Sequence, residues 1–413
     1  MVYFAGLRGT GSWGTDERPK NFREMILWAE PNGRAPFTAL SAKMKSESTD
    51  DPEFAWWEEV LKPALVYTNN GAGYNNAATA ITVDNGPGTH PTTDTDLTGL
   101  QFVAGDLLMI EHSADPASNE IVIVVSTTST VLTVTRGAAG TTAQAITDND
   151  RITRISSQYE EGSGSPNTVT SNPTKLRNYC EIQKTAYQVT NSAAVTNART
   201  GDPLKNDRKR KMFAHAEKHE MSAIFGRASE ATGSGGQPIR SSGGLRSFLS
   251  SNVTIFTVDP TEDTFINAIQ RVFDWDAGGA GDERVGFIGN TALMFLNRII
   301  RDSTQTRINY DGMIDFFGMN LMKFQLPFGT IGFKSHPLMN VHPRYTSAMF
   351  IVNPAGIVRR PLSGRDTKED KGPGGNGIQA PDADLKKFQW IDEIGMEYHF
   401  ERTMAYLGEF YDH

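Results

Sequence analysis

Cysteine is almost missing from this chain. Cys180 stands alone among 413 residues, so no internal disulfide can form and stability must come from packing. Long apolar runs are missing too. None reaches the roughly 20 residues a membrane-crossing helix needs, and the opening MVYFAGLRGTGSW has neither the basic start nor the apolar block of a secretion signal. Positive charge is outweighed: 40 Lys and Arg face 48 Asp and Glu, a formal net charge of -8. That excludes wholesale coating of nucleic acid, which depends on clustered cations that neutralise phosphates.

Signatures of catalysis are equally sparse. There is no Walker lysine loop and no G-x-S-x-G elbow. Gly9, Gly11 and Gly14 spell G-x-G-x-x-G, but only a few residues precede them and Pro19 interrupts any following helix. The strand–turn–helix context of a dinucleotide site is therefore absent. His215 and His219 have the i, i+4 spacing of zinc ligands, yet Ala216 stands where a zincin has its glutamate. They are expected on an exposed polar helix face without a metal. Cys180 lies in an extended run with no neighbouring histidine, which predicts a buried or half-buried thiol and no nucleophile. No pair of carboxylates is placed by the sequence for acid–base work. Catalytic, cofactor and metal residues are expected to be none, and the chain is expected not to be an enzyme.

What is present is organised around Asp202–Gly226, DPLKNDRKRKMFAHAEKHEMSAIFG. Asp202 is a capping residue, Pro203 suits the first helical position and Gly226 a helix stop. Met212, Phe213, Ala216, Ala223, Ile224 and Phe225 predict a broken apolar stripe. At about 1.5 Å per residue the helix is a rod of roughly 35 Å. Its run KNDRKRK, with Arg208 and Arg210, reads first as a solvated face and more sharply as an ion-pair surface between subunits.

A chain of this length makes two or three domains. Residues 1–53 read as an arm. Within it Asn21–Glu30 is a short helix whose Phe22, Met25, Ile26 and Trp28 are too apolar to leave in water. Residues 54–79 open with the aromatic FAWWEEVLKP. Residues 80–156 carry short β-branched runs between turns, the pattern of a small antiparallel β-domain. Residues 157–199 return through a Gly/Ser/Pro linker and the extended YCEIQKTAYQV. Two extended segments flanking a β-module predict a hairpin with a domain inserted at its tip. Beyond the rod, Gly233–Gly244 reads as a flexible loop and Asp259–Trp275 as an amphipathic helix. Strands follow near 285–288, 318–324, 330–334, 348–352 and 356–360, with a helix from Asn290 to Arg301. Residues 363–380 are Gly-rich and polar, and 388–411 hold two closing strands.

This order of segments, with FAWWEEVLKP, NYCEIQKTAYQVTNSAAV, a long charged helix ending in IFGR and the GGLRSFL loop, resembles major capsid proteins of tailed bacteriophages with the Hong Kong 97 fold. It resembles most the branch with a β-domain inserted in the extended loop. The resemblance implies an α+β fold. Residues 54–79 and 157–199 become the limbs of the extended loop, 80–156 its insert, and 200–259 a peripheral domain with a spine helix. Residues 260–380 become an axial domain and 381–413 the closing strands of the peripheral domain. It further implies self-assembly into hexamers and pentamers of an icosahedral shell that encloses double-stranded DNA without sequence-specific contacts. Scaffolding, portal and decoration proteins are implied partners, the virion is the implied location, and assembly is implied in the host bacterial cytoplasm, with no membrane. Phe22, Met25, Trp28, Phe54, Trp56, Trp57, Arg208 and Arg210 are the expected assembly contacts. The alternatives are a tail or decoration protein, an encapsulin-like cellular shell, and a polysaccharide-active enzyme.

Overall fold

The computed structural model describes residues 36–37, 40, 44–61, 64–85, 98–112, 119–196, 200–275, 283–302, 313–316 and 319–410. The helix expected at Asn21–Glu30, with Phe22, Met25 and Trp28, lies outside the described residues, as do Gly9, Gly11 and Gly14.

Strands in chain order are β1 (Glu53–Glu58), β2 (Leu65–Thr68), β3 (Ala80–Asp84), β4 (Asp106–Glu111), β5 (Glu120–Thr127), β6 (Val131–Thr135) and β7 (Arg151–Ser157). Then come β8 (Thr174–Tyr179), β9 (Glu181–Thr190), β10 (Ser229–Thr232), β11 (Pro238–Ser241), β12 (Val253–Ile255) and β13 (Glu283–Ile288). The last are β14 (Met313–Phe316), β15 (Met319–Leu326), β16 (Gly329–Ser335), β17 (Met349–Val352), β18 (Ile357–Pro361), β19 (Lys368–Asp370), β20 (Leu385–Tyr398) and β21 (Ala405–Gly408). With the helices between them the chain is α+β, as expected.

The main body is a seven-stranded mixed sheet in the order β12-β21-β17-β13-β16-β15-β14. Its central strands are buried on both faces, which is why MFIV in β17 is apolar throughout rather than alternating. Phe287, Phe350, Val352 and Tyr406 face one core with Ala223, Ile224 and Tyr398. Ile288, Ile331, Phe333, Met349 and Ile351 face a second core with Phe265, Ile269, Phe295 and Leu296. Those last four come from two helices, Glu262–Gln270 and Asn290–Asp302. The first of these helices begins three residues later than Asp259. Thr261 caps it instead, its side chain accepting from the Thr264 N–H at 3.3 Å.

A second sheet is built on the 14-residue β20. One edge of β20 pairs antiparallel with β9 from Leu385↔Thr190 to Ile394↔Glu181; β18 and β19 also pair with it. Strand β18, expected near 356–360, and β19, which falls in the stretch 363–380 expected to be a Gly-rich polar loop, therefore share a sheet with the closing strand. Residues 44–49 run alongside β18, with Glu47 N–H donating to Arg359 O and Thr49 N–H to Pro361 O.

The inserted domain is a closed six-stranded barrel, β2-β3-β6-β5-β4-β7. In β4, DLLMIE, every second residue is buried and those between are half-buried. Val66, Ile81, Leu108, Ile110, Val122, Leu132 and Ile152 fill the interior as a core of their own. The barrel begins at Leu65, not at residue 80. Four-residue β2 is needed to close it, since β2 pairs with both β3 and β7. A closed barrel leaves no exposed sheet edge.

The long helix runs from Pro203 to Phe225 and lies on β9. Asp202 caps it, accepting from Leu204 N–H at 2.9 Å. The expected apolar stripe is corrected. Met212 is 53% exposed, while the buried positions are His215, His219, Glu220, Ala223 and Ile224. Gly233–Gly244 is also more ordered than expected: β10 and β11 form a hairpin and Gly243 and Gly244 are buried. A Cβ on Gly244 would lie 2.6 Å from both Gly226 N and Ser222 O. Only glycine lets this loop pass under the helix end.

One barrel network is testable. Glu120 is fully buried; it accepts from Arg136 at 2.7 and 2.6 Å, from Gly137 N–H at 2.9 Å and from Gln144 N–H at 3.1 Å. Burial pushes its carboxyl up, but Arg136 and the two amides outweigh burial and hold it below the usual glutamate range. A carboxyl with a lowered folded pKa stabilises the fold above its unfolded value and loses that contribution as pH falls through the folded value. Glu120→Gln is expected to loosen the barrel near neutral pH and to flatten its weakening below about pH 4.5. Hydrogen exchange of the β5 amides, followed as a function of pH, reads both effects.

Candidate assembly surfaces

The long helix presents polar groups to the interior, and two of them, Glu220 and His215, have directed partners. Glu220 and His336 are both 0% exposed. Nδ1 of His336 accepts from Met339 N–H at 3.4 Å, so Nε2 carries the proton and donates to Glu220 Oε1 at 2.7 Å. The same oxygen accepts from Phe37 N–H at 2.8 Å. One carboxylate thus joins the helix to the loop after β16 and to the start of the described chain. Higher up, His215 Nε2 meets Asp392 Oδ2 at 3.1 Å and its Nδ1 meets Thr185 Oγ1 at 3.2 Å. His219 is buried beside them, and burial pushes its pKa down. Its Nε2 has no hydrogen-bond partner among the described residues. The histidines expected on an exposed face are therefore interior groups, buried because β9 and β20 cross beneath the helix. Among the described residues no group of three or more His, Cys, Asp or Glu is placed to hold a metal ion.

Strands β1 and β8 pair antiparallel from Glu53↔Tyr179 to Glu58↔Thr174, and the barrel falls between them in the chain. The base of this ribbon is pinned by Asn178, which is 0% exposed. Its Nδ2 donates to Met396 O at 2.7 Å and Gly243 O at 3.0 Å. Its Oδ1 accepts from Gly243 N–H at 2.7 Å and Tyr179 N–H at 2.9 Å. Cys180 follows, buried, with its thiol pushed up to about 12 by burial first and the Glu393 charge second. That makes it an unreactive thiol.

The expected contact residues separate here. Phe54 and Trp56 point into the body and are 5% and 8% exposed. Trp56 stacks near Phe248 and His399 at 5.7 and 5.8 Å between ring centroids, and its Nε1 donates to Glu58 at 2.7 Å. Both are intramolecular core, which corrects the expectation for them. Adjacent strand residues face opposite ways, so Trp57 points outward. It is 64% exposed, with Lys175 Nζ 5.9 Å from its ring centroid. Arg208 is engaged within the chain. It forks onto Glu369 at 2.8 and 2.7 Å and lies 5.6 Å from the Trp390 ring. Arg210 pairs with Asp207 at 3.0 Å. Residues missed by the sequence reading include Leu61 and Val195, exposed by 86% and 87%, and Ile182 on the outer face of β9.

The profile of the SU10 major capsid protein family matches residues 7–409. The chain belongs to the SU10 major capsid protein family. It is 24% identical over 408 residues to a major capsid protein of Pseudomonas phage PaMx41, a match covering 96% of this chain and 91% of that protein. Among solved structures it is similar to one from Mycobacterium phage Bobi, at 9% identity and a TM-score of 0.43, covering 97% of this chain and 98% of that one. Another, from Microbacterium phage Oxtober96, shares 13% identity at a TM-score of 0.42, with 95% of each chain covered. As a member of the SU10 family the chain is a phage major capsid protein and a virion component. Such a protein acts through its contacts with further copies, so its outward groups are its functional surface.

Two substitutions separate core from surface. Trp56→Ala is expected to cost the protomer about 3–5 kcal/mol, as other buried aromatics do. Trp57→Ser is expected to leave it within about 0.5 kcal/mol of the parent. Denaturant unfolding of the two variants measures this. Replacing His336 by Leu removes one partner of a fully buried pair and is expected to cost about 3–5 kcal/mol. The same unfolding titration checks it, and a parent-like midpoint contradicts the tie.

Proposed function

We propose that this chain builds the closed head of a tailed phage as hexamers and pentamers of itself in a Hong Kong 97-type arrangement, around double-stranded DNA it does not read. In this reading Pro203–Phe225 is the spine of the peripheral domain. The seven-stranded sheet with its two helices is the axial body, the β1–β8 ribbon is the extended loop, and the barrel is its insert. The role is structural and not enzymatic. Assembly takes place in the host cytoplasm, with scaffolding, portal and decoration proteins as further partners.

The observation that carries the reading is the ribbon. Its inner face holds Phe54 and Trp56 and is fastened by Asn178, while its outer face offers Trp57 at 64% exposure. A lone chain gains nothing from holding a tryptophan in water on a rigid two-stranded arm, whereas large aromatics are the residue type that dominates protein interfaces. The net charge of -8 also suits a container whose wall does not clamp its DNA.

Negative-stain imaging and sedimentation of the purified chain test this. Closed particles are expected from the parent. Trp57→Ser is expected to give folded subunits, by circular dichroism, that form few or irregular particles. A parent that stays a small species, or forms only trimers or open rings, contradicts the shell.

A further inference from the structure

At the C-terminal end of the long helix a cavity of about 240 Å³ opens between that helix, the loop before β12 and the segment before β17. Three arginines line it from three different parts of the chain: Arg227 just after the helix, Arg246 in the short helix Leu245–Phe248, and Arg344. Tyr345, Tyr406 and Ile255 complete its wall. The aromatic side is firmly set. Tyr345 packs on Phe225 with centroids 4.3 Å apart, and Phe225 meets Phe350 at 5.8 Å. Arg246 is also held, with its guanidinium carbon 4.7 Å from the Tyr406 ring centroid and Nη1 donating to Leu249 O at 3.4 Å. Burial raises the Tyr406 pKa, so its hydroxyl stays protonated.

The charges do not balance. Arg344 pairs with Glu409 at 2.6 Å. Among the described residues no carboxylate pairs with Arg227 or Arg246, so three guanidiniums face one carboxylate. Beside the cavity runs β12, which pairs only with β21 among the described strands and ends the seven-stranded sheet. Ile255 on that strand is 44% exposed. The site thus combines a cationic cavity, an aromatic wall and a sheet edge.

We propose that this cavity receives exposed aspartate or glutamate side chains from a second copy of the chain, as a contact between subunits of the shell. Charge complementarity decides the occupant. Each copy carries a net charge of -8, so two copies repel unless a local cationic site meets acidic groups on the neighbour. Guanidiniums engage carboxylates through paired, charge-assisted hydrogen bonds. DNA fits less well, because three arginines in one cavity do not offset the repulsion between the whole chain and a phosphate backbone. The proposal rests on the shell-building reading above.

The test uses Arg227→Lys and Arg246→Lys, which keep the charge and supply an amine. Particles of each variant are treated with a water-soluble carbodiimide, which joins an amine to a carboxylate only where the two touch. Covalent dimers and larger species are expected, with peptide mass spectrometry finding Lys at position 227 or 246 joined to an Asp or Glu of another copy. The link should vanish when particles are first dissociated into subunits. Normal particles with no such link at either position overturn the proposal. So does a link lost when a short DNA duplex is added before the carbodiimide, which makes the occupant nucleic acid. Failure of the parent chain to form particles is read separately by imaging. That result overturns the shell reading and this contact with it.

Discussion

A carboxylate in the dry interior holds the pieces of this subunit in register. Glu220 accepts one hydrogen bond from the His336 ring and one from the Phe37 backbone, with no exposure to water. A charged or polar group placed there costs free energy unless its partners are fixed. The carboxylate belongs to the long helix and its partners to the turn after β16 and the chain leading in from the N-terminal side, so the three cannot slide independently. An apolar stripe on the helix would pack at several registers, whereas directed hydrogen bonds of 2.7 and 2.8 Å admit one. The His215–Asp392–Thr185 contacts repeat the device farther along the helix, against β9 and β20.

Fixing the helix also fixes what its end supports. Gly243 and Gly244 pass beneath the helix terminus, and Gly243 is bonded through both its N–H and C=O to Asn178 at the root of the ribbon. The direction of β1 and β8 is therefore set by the body, and the aromatic pair Phe54 and Trp56 fills the space between ribbon and body. Beyond that root the design changes. The barrel has a core that shares no residue with the two cores of the body, and residues 158–173 reach it as an irregular, exposed segment. A self-contained barrel can be carried by a capsid subunit without altering how the body folds.

Much of this was readable where the determinants are local. Asp202, Pro203 and Gly226 marked the ends of the long helix because capping depends on adjacent backbone groups. The β-rich insert was visible from alternation, and the strands of the second half lay near their expected places. Legibility stopped where distant residues decide. His215 and His219 read as surface groups because their polarity is visible while Asp392 and Thr185, which His215 meets, are far away in sequence; Glu220 gave no signal at all, since His336 is equally distant. Four-residue β2 is too short to declare itself and is recognisable only because the barrel cannot close without it. The tryptophan pair did carry a usable signal: consecutive strand residues face opposite sides, so Trp56 and Trp57 could not both have served as outward anchors.

The same distinction bears on where a shell subunit keeps its adaptability. Copies in five-fold and six-fold surroundings must make related but unequal contacts, and the variation has to sit somewhere in the protomer. The body is poorly suited to supply it: its sheet is packed on both faces, and close-packed interiors shift only at a cost. Nor is Arg208 on the long helix free to re-pair, since it is forked onto Glu369. What remains adjustable is peripheral. It comprises the outer face of the ribbon with Trp57, the long approach to the barrel, and the side chains at the rim of the arginine cavity, where Arg227 is exposed and Arg246 half-buried. Long flexible cations at a rim tolerate small displacements of a partner that a packed apolar contact does not, because screened Coulomb attraction falls off slowly with distance while packing is lost within an ångström. A rigid interior bordered by such contacts lets one sequence serve unequal positions without refolding.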